Sequence, residues 1–260
     1  MKIAVTGSTS SIGTHLINRL AREGYDIVPL GGRSSNLWRI GMKFPEFLDV
    51  DVLIHPAHDR TLTLNQNIDA TNLLISSFQG QKIFLSSLSA HLGTKSIYGK
   101  SKYESERLFL SHGGKVIRAG LVFGPNISGI FLTLKKMANV LPILPLPYSG
   151  TSRMYMTHID DLCEELTEMI SREEKGIVLG AHFWPVTLKD LVRRIRKQSS
   201  SPSFQIIVPI PRLILEILRR CLSPLKLRVP LIDSLSSLSV QINSEEFSSM
   251  VPASNNFRMF

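Results

Sequence analysis

The chain contains only two cysteines, Cys163 and Cys221, among its 260 residues. Two cysteines this far apart are too few for a disulfide framework or for a cysteine-based metal site. We therefore expect no bound metal, and we expect the reducing environment of the cytoplasm.

Long hydrophobic runs are also missing. The most apolar late segment, 204–222, is interrupted by Pro209, Pro211 and Arg212, so no membrane span is expected. The first residues, KIAVTG, are typical of a buried strand and not of a signal peptide. No internal repeat or low-complexity tract is present, and a hydrophobic content of 43% is that of a globular protein.

Acidic residues are scarce. The 30 Lys and Arg residues exceed the 21 Asp and Glu residues, which gives a net charge of +9. The basic residues are scattered and lack interleaved aromatic residues, so nucleic acid is not an expected partner. A positive field suits a phosphorylated small molecule, and a solvated basic surface is the alternative. The basic and apolar segment 211–228 could also lie on an anionic membrane surface, although packing within the fold is preferred.

Short apolar runs alternate with helical patterns through the first two thirds of the chain, which predicts a doubly wound parallel α/β sheet of the Rossmann type. The predicted strands are 2–7, 25–32, 50–57, 82–89, 115–124 and 176–181. The predicted helices are 12–23, 65–78, 98–112, 159–171 and 187–198. We expect a nucleotide-binding core over 1–125, completed by about 155–185, and a small cap formed by 126–154 and 186–260.

A glycine turn, TGSTSSIG, follows the first strand. A strand, a glycine turn and a helix place backbone N–H groups and a helix N-terminus against a pyrophosphate. Gly7 would supply the tight turn and Gly13 the close helix–strand contact, but Ser10 stands where a middle glycine is usual. The candidate phosphate-binding residues are therefore Gly7, Ser10, Ser11, Ile12 and Gly13.

The second strand ends in LGGRSSN, which contains Arg33 and no carboxylate. A carboxylate there would bind the ribose hydroxyls of NAD, whereas an arginine accommodates the 2′-phosphate of NADP. NADP(H) is therefore the expected cofactor, with NAD(H) as the alternative.

The stretch IFLSSLSAHLGTKSIYGKSKYESE suggests the chemistry. Tyr98 and Lys102 are four residues apart, so they share one face of a helix. A nearby ammonium lowers the pKa of a phenol, and a serine hydroxyl at the end of the preceding strand can bind the same substrate oxygen. Together these groups predict a proton-transfer site beside a hydride carrier.

The motifs in this order resemble the NAD-dependent epimerase/dehydratase family of the extended short-chain dehydrogenase/reductase superfamily. The similar segments are TGSTSSIG, DVLIHPA, NIDATNLL, FLSSLSA, YGKSK, VIRAGLVFGPN and HIDDL. The resemblance covers nearly the whole chain. It is nearest to enzymes of surface-polysaccharide biosynthesis that reduce or epimerise a keto-sugar nucleotide.

The resemblance implies roles for individual residues. Tyr98 would be the acid/base, Lys102 would bind the ribose and lower the pKa of the phenol, and Ser87 would position the reacting oxygen. Ser89 is the second choice for that hydroxyl, and Ser86 is interpreted as structural.

Further contacts follow from the same resemblance. Ala57 would line the nicotinamide side, and Asn126 and Arg153 would bind the substrate's diphosphate, although each could equally be structural. A homodimer through the helices at 65–78 and 98–112 is a further expectation.

The residues also restrict the reaction. Related dehydratases place Asp and Glu just after the strand-end hydroxyl, but here Leu88 and Ser89 follow, so dehydration is not expected. Epimerisation beside a ketone would need a carbon base, for which His55, His58 and His91 are candidates that are more often structural. Reduction of a 4-keto sugar is favoured, and a 4-epimerase with bound NAD is the alternative. A protein that binds NADP(H) without turnover is the alternative of another class.

Overall fold

The computed structural model describes residues 1–31, 38–46, 49–59, 61–94, 96–147, 150–173, 176–199, 206–210, 244–253 and 256–260. The strands are β1 (Lys2–Thr6), β2 (Asp26–Leu30), β3 (Val52–His55), β4 (Gln81–Ser87), β5 (Lys115–Ala119), β6 (Leu121–Phe123), β7 (Ile143–Pro147), β8 (Arg153–Met154), β9 (Met156–His158), β10 (Ile177–Gly180), β11 (Val186–Thr187), β12 (Ile206–Ile210) and β13 (Val251–Pro252). The helices are α1 (Ser11–Arg22), α2 (Leu64–Ser76), α3 (Ile97–Ser111), α4 (Ile130–Val140), α5 (Ile159–Ser171), α6 (Leu188–Gln198) and α7 (Ser244–Ser248). No helix among these residues is long and apolar enough to cross a membrane.

The main sheet has seven strands in the order β13-β10-β5-β4-β3-β1-β2, and all its pairs are parallel. This confirms the doubly wound parallel sheet predicted from the sequence. The chain passes from β1 to β2 on one side and then returns to β3 on the other side of β1. In such sheets ligands bind in the crevice at this reversal, outside the carboxyl ends of the strands.

Helices cover both faces of the sheet. Ile3 and Val5 of β1 join the core that includes Leu16 of α1, whereas Ala4 joins a second cluster with Leu74 of α2. Alternate residues of a strand point to opposite faces, so three consecutive apolar residues of β1 serve both layers. Helices α1 and α5 pack together on one face, and α2 and α3 pack together on the other.

The prediction of one strand over 115–124 is wrong. The chain leaves the main sheet at Gly120, and β6 then pairs with β9. A side chain at Gly120 would lie 2.2 Å from the carbonyl oxygen of Tyr155, and the Gly120 N–H donates to Thr157 Oγ1 at 2.8 Å. The close approach of residues 155–157 therefore turns the chain out of the sheet.

One edge of the main sheet lies at β2. Pro29 is accommodated there because an edge strand needs hydrogen bonds on one side only. No strand is present between β2 and β3 within the described residues 38–46 and 49–51. Instead the buried Trp38 packs against Gly31, and its indole N–H donates to the Met42 carbonyl at 3.0 Å.

The remaining elements lie beyond β6. Helix α4 packs on α6, while β7 pairs with β12 and β8 pairs with β11. Strand β13 returns to the main sheet beside β10. The division into a core and a cap stays a prediction.

Candidate functional site

The turn after β1 has the geometry expected of a phosphate-binding turn. Gly7 adopts φ of +61°, which favours glycine. A Cβ at Gly13 would lie 2.2 Å from the Gly7 carbonyl oxygen, so the helix can approach the strand only with glycine there. Gly7 therefore forms the tight turn and Gly13 allows the close helix–strand contact, while phosphate binding by this turn stays a prediction.

Ser10 caps α1. Its Oγ accepts a hydrogen bond from the Gly13 N–H at 3.0 Å, and its carbonyl accepts from the Thr14 N–H at 2.9 Å. The Ser10 side chain is exposed, and its own O–H is not used in this cap. Serine in place of the middle glycine therefore stabilises the helix N-terminus and leaves a hydroxyl donor at the turn.

Ser11 joins the turn to the loop that precedes α4. Its Oγ lies 2.5 Å from the Ser128 Oγ and accepts a hydrogen bond from the Ser128 N–H at 3.0 Å. Asn126, two residues before Ser128, is exposed and has φ of +56°. The structure thus brings the Asn126 loop to the first turn of α1.

Ala57 and His58 follow β3 across the crevice. A Cβ at Gly7 would lie 3.3 Å from both Cα and Cβ of Ala57, which places Ala57 against the phosphate turn. The His58 imidazole meets the Tyr98 phenol edge to face, with ring centroids 4.9 Å apart and an interplanar angle of 84°. The first turn of α3 therefore lies beside the crevice.

The position of α3 depends on a glycine that the sequence analysis did not single out. Ser96 caps the helix by accepting a hydrogen bond from the Gly99 N–H at 2.8 Å. A Cβ at Gly99 would lie 2.3 Å from the Ser89 carbonyl oxygen and 2.4 Å from Thr94 Oγ1. Glycine beside Tyr98 lets α3 approach the segment after β4, and a glycine within a helical pattern was the signal for it.

Ser87 ends β4 with a half-buried hydroxyl. Its Oγ accepts hydrogen bonds from the Ser89 N–H at 3.2 Å and from the Ser89 O–H at 3.0 Å, so its own proton is not used in these bonds. Ser89 is buried and supports Ser87, while the buried Ser86 points away toward Glu106. Ser87 is thus the strand-end hydroxyl with an exposed surface.

Lys102 lies one turn along α3 from Tyr98 and is buried. Its Nζ donates to the Leu85 carbonyl at 2.8 Å and stands 4.5 Å from the centre of the Phe84 ring. Burial lowers the pKa of Lys102 to about 7, and the charge of Glu106 opposes this shift. The amine therefore changes charge close to neutral pH.

The three candidate histidines have different surroundings. His55 is buried against Phe84 and Phe109, and burial with the charge of Lys102 lowers its pKa to about 3, so it stays neutral. Burial also lowers the pKa of His91, which feels the charges of Glu246 and Arg118. Of the three, His58 is the one whose ring contacts Tyr98.

A buried ion-pair network holds α3 from behind. Arg118 of β5 binds Glu106 of α3 through two hydrogen bonds of 2.8 and 2.7 Å, and it binds Glu246 of α7 at 2.6 Å. The sequence does not reveal this network, because its two pairs are separated by 12 and 128 residues and show no local pattern.

Arg153 and Arg33 are the two remaining predicted site residues. Arg153 is exposed on β8 in the β8–β11 sheet, where its charge acts on the Tyr155 hydroxyl, and its part in a diphosphate site stays a prediction. Arg33 lies outside the described residues.

Comparison with known proteins gives a fold. No family model and no curated protein matches the sequence. Many solved structures match, including the NAD-dependent NDP-hexosamine 5,6-dehydratase TunA, at 16% identity and a TM-score of 0.67 over 96% of this chain and 98% of that one. The UDP-glucose 4-epimerase of Thermotoga maritima, solved with UDP-glucose, matches at 16% identity and a TM-score of 0.65, over 95% of this chain and 99% of that one.

A third match is RMD from Pseudomonas aeruginosa, solved with NADPH. It is 19% identical, with a TM-score of 0.64, over 81% of this chain and 86% of that one. Sequence identities this low establish the architecture and leave the activity to be argued from the site. The comparison therefore shows a Rossmann-type α/β fold, with a seven-stranded parallel sheet and flanking helices.

Proposed function

We propose that this protein is a nicotinamide-dependent oxidoreductase that reduces the 4-keto group of a nucleotide sugar. The observation that carries the proposal is the placement of Tyr98 and Lys102 on one face of α3. Their helix begins beside the crevice where Gly7 and Ala57 meet, and Ser87 ends the strand that Lys102 contacts through Leu85.

The crevice residues fit a dinucleotide. Gly7 and Gly13 leave no side chain between the turn and the helix N-terminus, which suits the approach of a pyrophosphate. Ser10, Ser11 and Ile12 would hold the pyrophosphate, and Ala57 would face the nicotinamide. The bound cofactor supplies or accepts a hydride. A preference for NADP(H) rests on Arg33 in the sequence alone.

The chain's own residues would handle the proton. As the substrate carbonyl gains a hydride, negative charge develops on its oxygen, and the Tyr98 O–H would donate to that oxygen. The Ser87 O–H would bind the same oxygen and hold it near the phenol. A protonated Lys102 favours the phenolate form of Tyr98, since a nearby positive charge lowers the pKa of a phenol.

The strand end supports reduction over dehydration. Leu88 and Ser89 are both buried, and Ser89 is bonded to Ser87, so neither of the two residues after Ser87 supplies a carboxylate. A 4-epimerase would use the same three residues, and the match to a UDP-glucose 4-epimerase fits that alternative. A place in surface-polysaccharide synthesis is part of the proposal, as is a homodimer through α2 and α3.

Steady-state kinetics with NADPH, NADH and a panel of 4-keto-sugar nucleotides tests the proposal. Tyr98→Phe should lose about 10²–10⁴-fold in turnover, which is the usual range for general acid–base catalysis, while cofactor affinity survives. Tyr103→Phe, on the same helix, is the matched control and should retain the parent rate.

Parent turnover in Tyr98→Phe would refute the catalytic assignment. If the parent binds NADPH but consumes no nucleotide sugar, the non-catalytic binding role replaces the enzymatic one.

A further inference from the structure

The two-stranded sheet of β7 and β12 has one face in the core and one in water. Leu144 and Leu146 of β7 are buried, whereas Ile143 is 54% exposed. Ile206 is the register partner of Ile143 and is 47% exposed, and Val208, two residues further along the strand, is 41% exposed. Residues two apart share a face of a strand, so these three aliphatic side chains form one exposed row.

Helix α4 extends this row. Leu132, Lys136 and Val140 are spaced four residues apart, so they form one stripe along the helix. Lys136 is exposed, and Val140 is 76% exposed at the end of α4, three residues before Ile143. The stripe therefore ends three residues before the exposed row begins in the chain.

Basic residues border this surface. The Arg196 guanidinium donates to the Ala138 carbonyl at 3.0 Å, which places the second half of α6 beside the last turn of α4. The exposed basic residues of the two helices are Lys135, Lys136, Arg193, Arg194 and Lys197.

Acidic residues are nearly absent from the same region. The sequence has no Asp or Glu in 107–159 or in 191–210, which together contain β7, β12, α4 and most of α6. Asp190, in the first turn of α6, lies 3.7 Å from Arg193. The surface is therefore positively charged around an aliphatic centre.

We propose that this basic–apolar surface, formed by α4, the exposed row on β7 and β12, and the second half of α6, docks on an anionic lipid membrane. Aliphatic side chains would enter the interface between headgroups and acyl chains while the bordering Lys and Arg contact the anionic headgroups. The proposal goes beyond the oxidoreductase function and does not depend on it.

A lipid surface fits better than a nucleic acid. The exposed row consists of Ile and Val and carries no aromatic ring on which a base could stack. The expectation of membrane association for 211–228 lies outside the described residues.

Sedimentation of the full chain with lipid vesicles tests the proposal. We expect binding to vesicles of phosphatidylcholine mixed with phosphatidylglycerol, weakening with added salt, and no binding to phosphatidylcholine alone. The double variant Lys135→Gln/Lys136→Gln should lose about fivefold in affinity for each lysine removed. Ile143→Ser/Ile206→Ser should lose about tenfold, since half-exposed isoleucines lose part of their burial in the interface.

Matched controls lie elsewhere on the surface. Met42→Ser removes a side chain that is 45% exposed, and Arg22→Gln/Arg107→Gln removes two exposed charges from α1 and α3. Both should bind vesicles as the parent does, and thermal unfolding should confirm that all variants fold.

Three results would overturn the proposal. These are no binding to the anionic vesicles, equal binding to neutral vesicles, and parent-like binding by the two surface variants. A single-stranded oligonucleotide that binds more tightly than the vesicles, and is lost only with the lysine substitutions, would make the surface a nucleic-acid site instead.

Discussion

Gly99→Ala should be one of the most damaging single-methyl substitutions near the site. The added Cβ would lie 2.3 Å from the Ser89 carbonyl oxygen, 2.4 Å from Thr94 Oγ1 and 2.8 Å from Ser96 Oγ. The Ser89 carbonyl oxygen belongs to the backbone, and the Ser96 Oγ accepts the hydrogen bond that caps α3, so moving either atom would disturb the local structure. The first turn of α3 must shift instead, and Tyr98 moves with it.

The expected change in the free energy of unfolding is the balance of two opposing contributions. Forcing an extra methyl into a packed site costs about 1–3 kcal/mol. Alanine regains up to about 1 kcal/mol over glycine in a helix. The net loss is about 0–3 kcal/mol. The middle of this range, about 1–2 kcal/mol, should lower Tm by about 2–8 °C for a chain of this size. A displacement of about 1 Å at a reacting group can cost roughly 10²-fold in turnover, so activity should fall more than stability.

Calorimetry and the reductase assay together test this reasoning. Gly93→Ala is the matched control, because its Cβ would meet nothing closer than 3.6 Å and stability should change by less than about 0.5 kcal/mol. A Gly99→Ala protein with the parent Tm and the parent turnover would show that α3 is not held by this contact.

Three further predictions concern stability and cofactor binding. Ser10→Gly should cost only a few tenths of a kcal/mol in urea unfolding, since glycine is a tolerated cap. It should raise the Kd for NADPH about 2–10-fold in calorimetric titration, since it removes the hydroxyl donor at the turn; an unchanged or lower Kd would contradict the account of the turn. Arg118→Leu leaves the buried Glu106 carboxylate without its partner and should cost about 3–5 kcal/mol in urea unfolding, most of which Arg118→Leu/Glu106→Leu should restore. Burial lowers the pKa of Lys102 to about 7, whereas a lysine in the unfolded chain has a pKa of about 10.4, so the unfolded state binds more protons between these two pH values. The free energy of unfolding should therefore rise with pH in this range, by up to about 1.4 kcal/mol per pH unit. Urea unfolding of the parent and of Lys102→Met at pH 7 and 9 should show the rise in the parent only.

The sequence was sufficient for the features that repeat locally. The alternation of apolar strands with amphipathic helices predicted the parallel sheet, and the positions of Gly7 and Gly13 predicted the turn that the structure shows. Tyr98 and Lys102 share a helix face because their spacing of four residues determines it.

The features that the sequence did not reveal depend on long-range contacts. The chain leaves the sheet at Gly120 because the carbonyl of Tyr155 approaches it, and residue 155 is distant in sequence. His58 and His55 are three residues apart and look equivalent in the sequence. Only the fold shows that one is buried among aromatic rings while the other contacts Tyr98.

Hydride tracing tests the central claim most directly. The parent protein is incubated with NADPH carrying deuterium at the transferable position of the nicotinamide and with a 4-keto-sugar nucleotide, and the product is analysed by mass spectrometry. The account predicts deuterium at the new carbinol carbon with the parent and almost none with Tyr98→Phe. In a parallel incubation with NAD and a 4-hydroxy-sugar nucleotide, conversion to the 4-epimer would favour the epimerase. No conversion in either incubation would contradict the proposed chemistry.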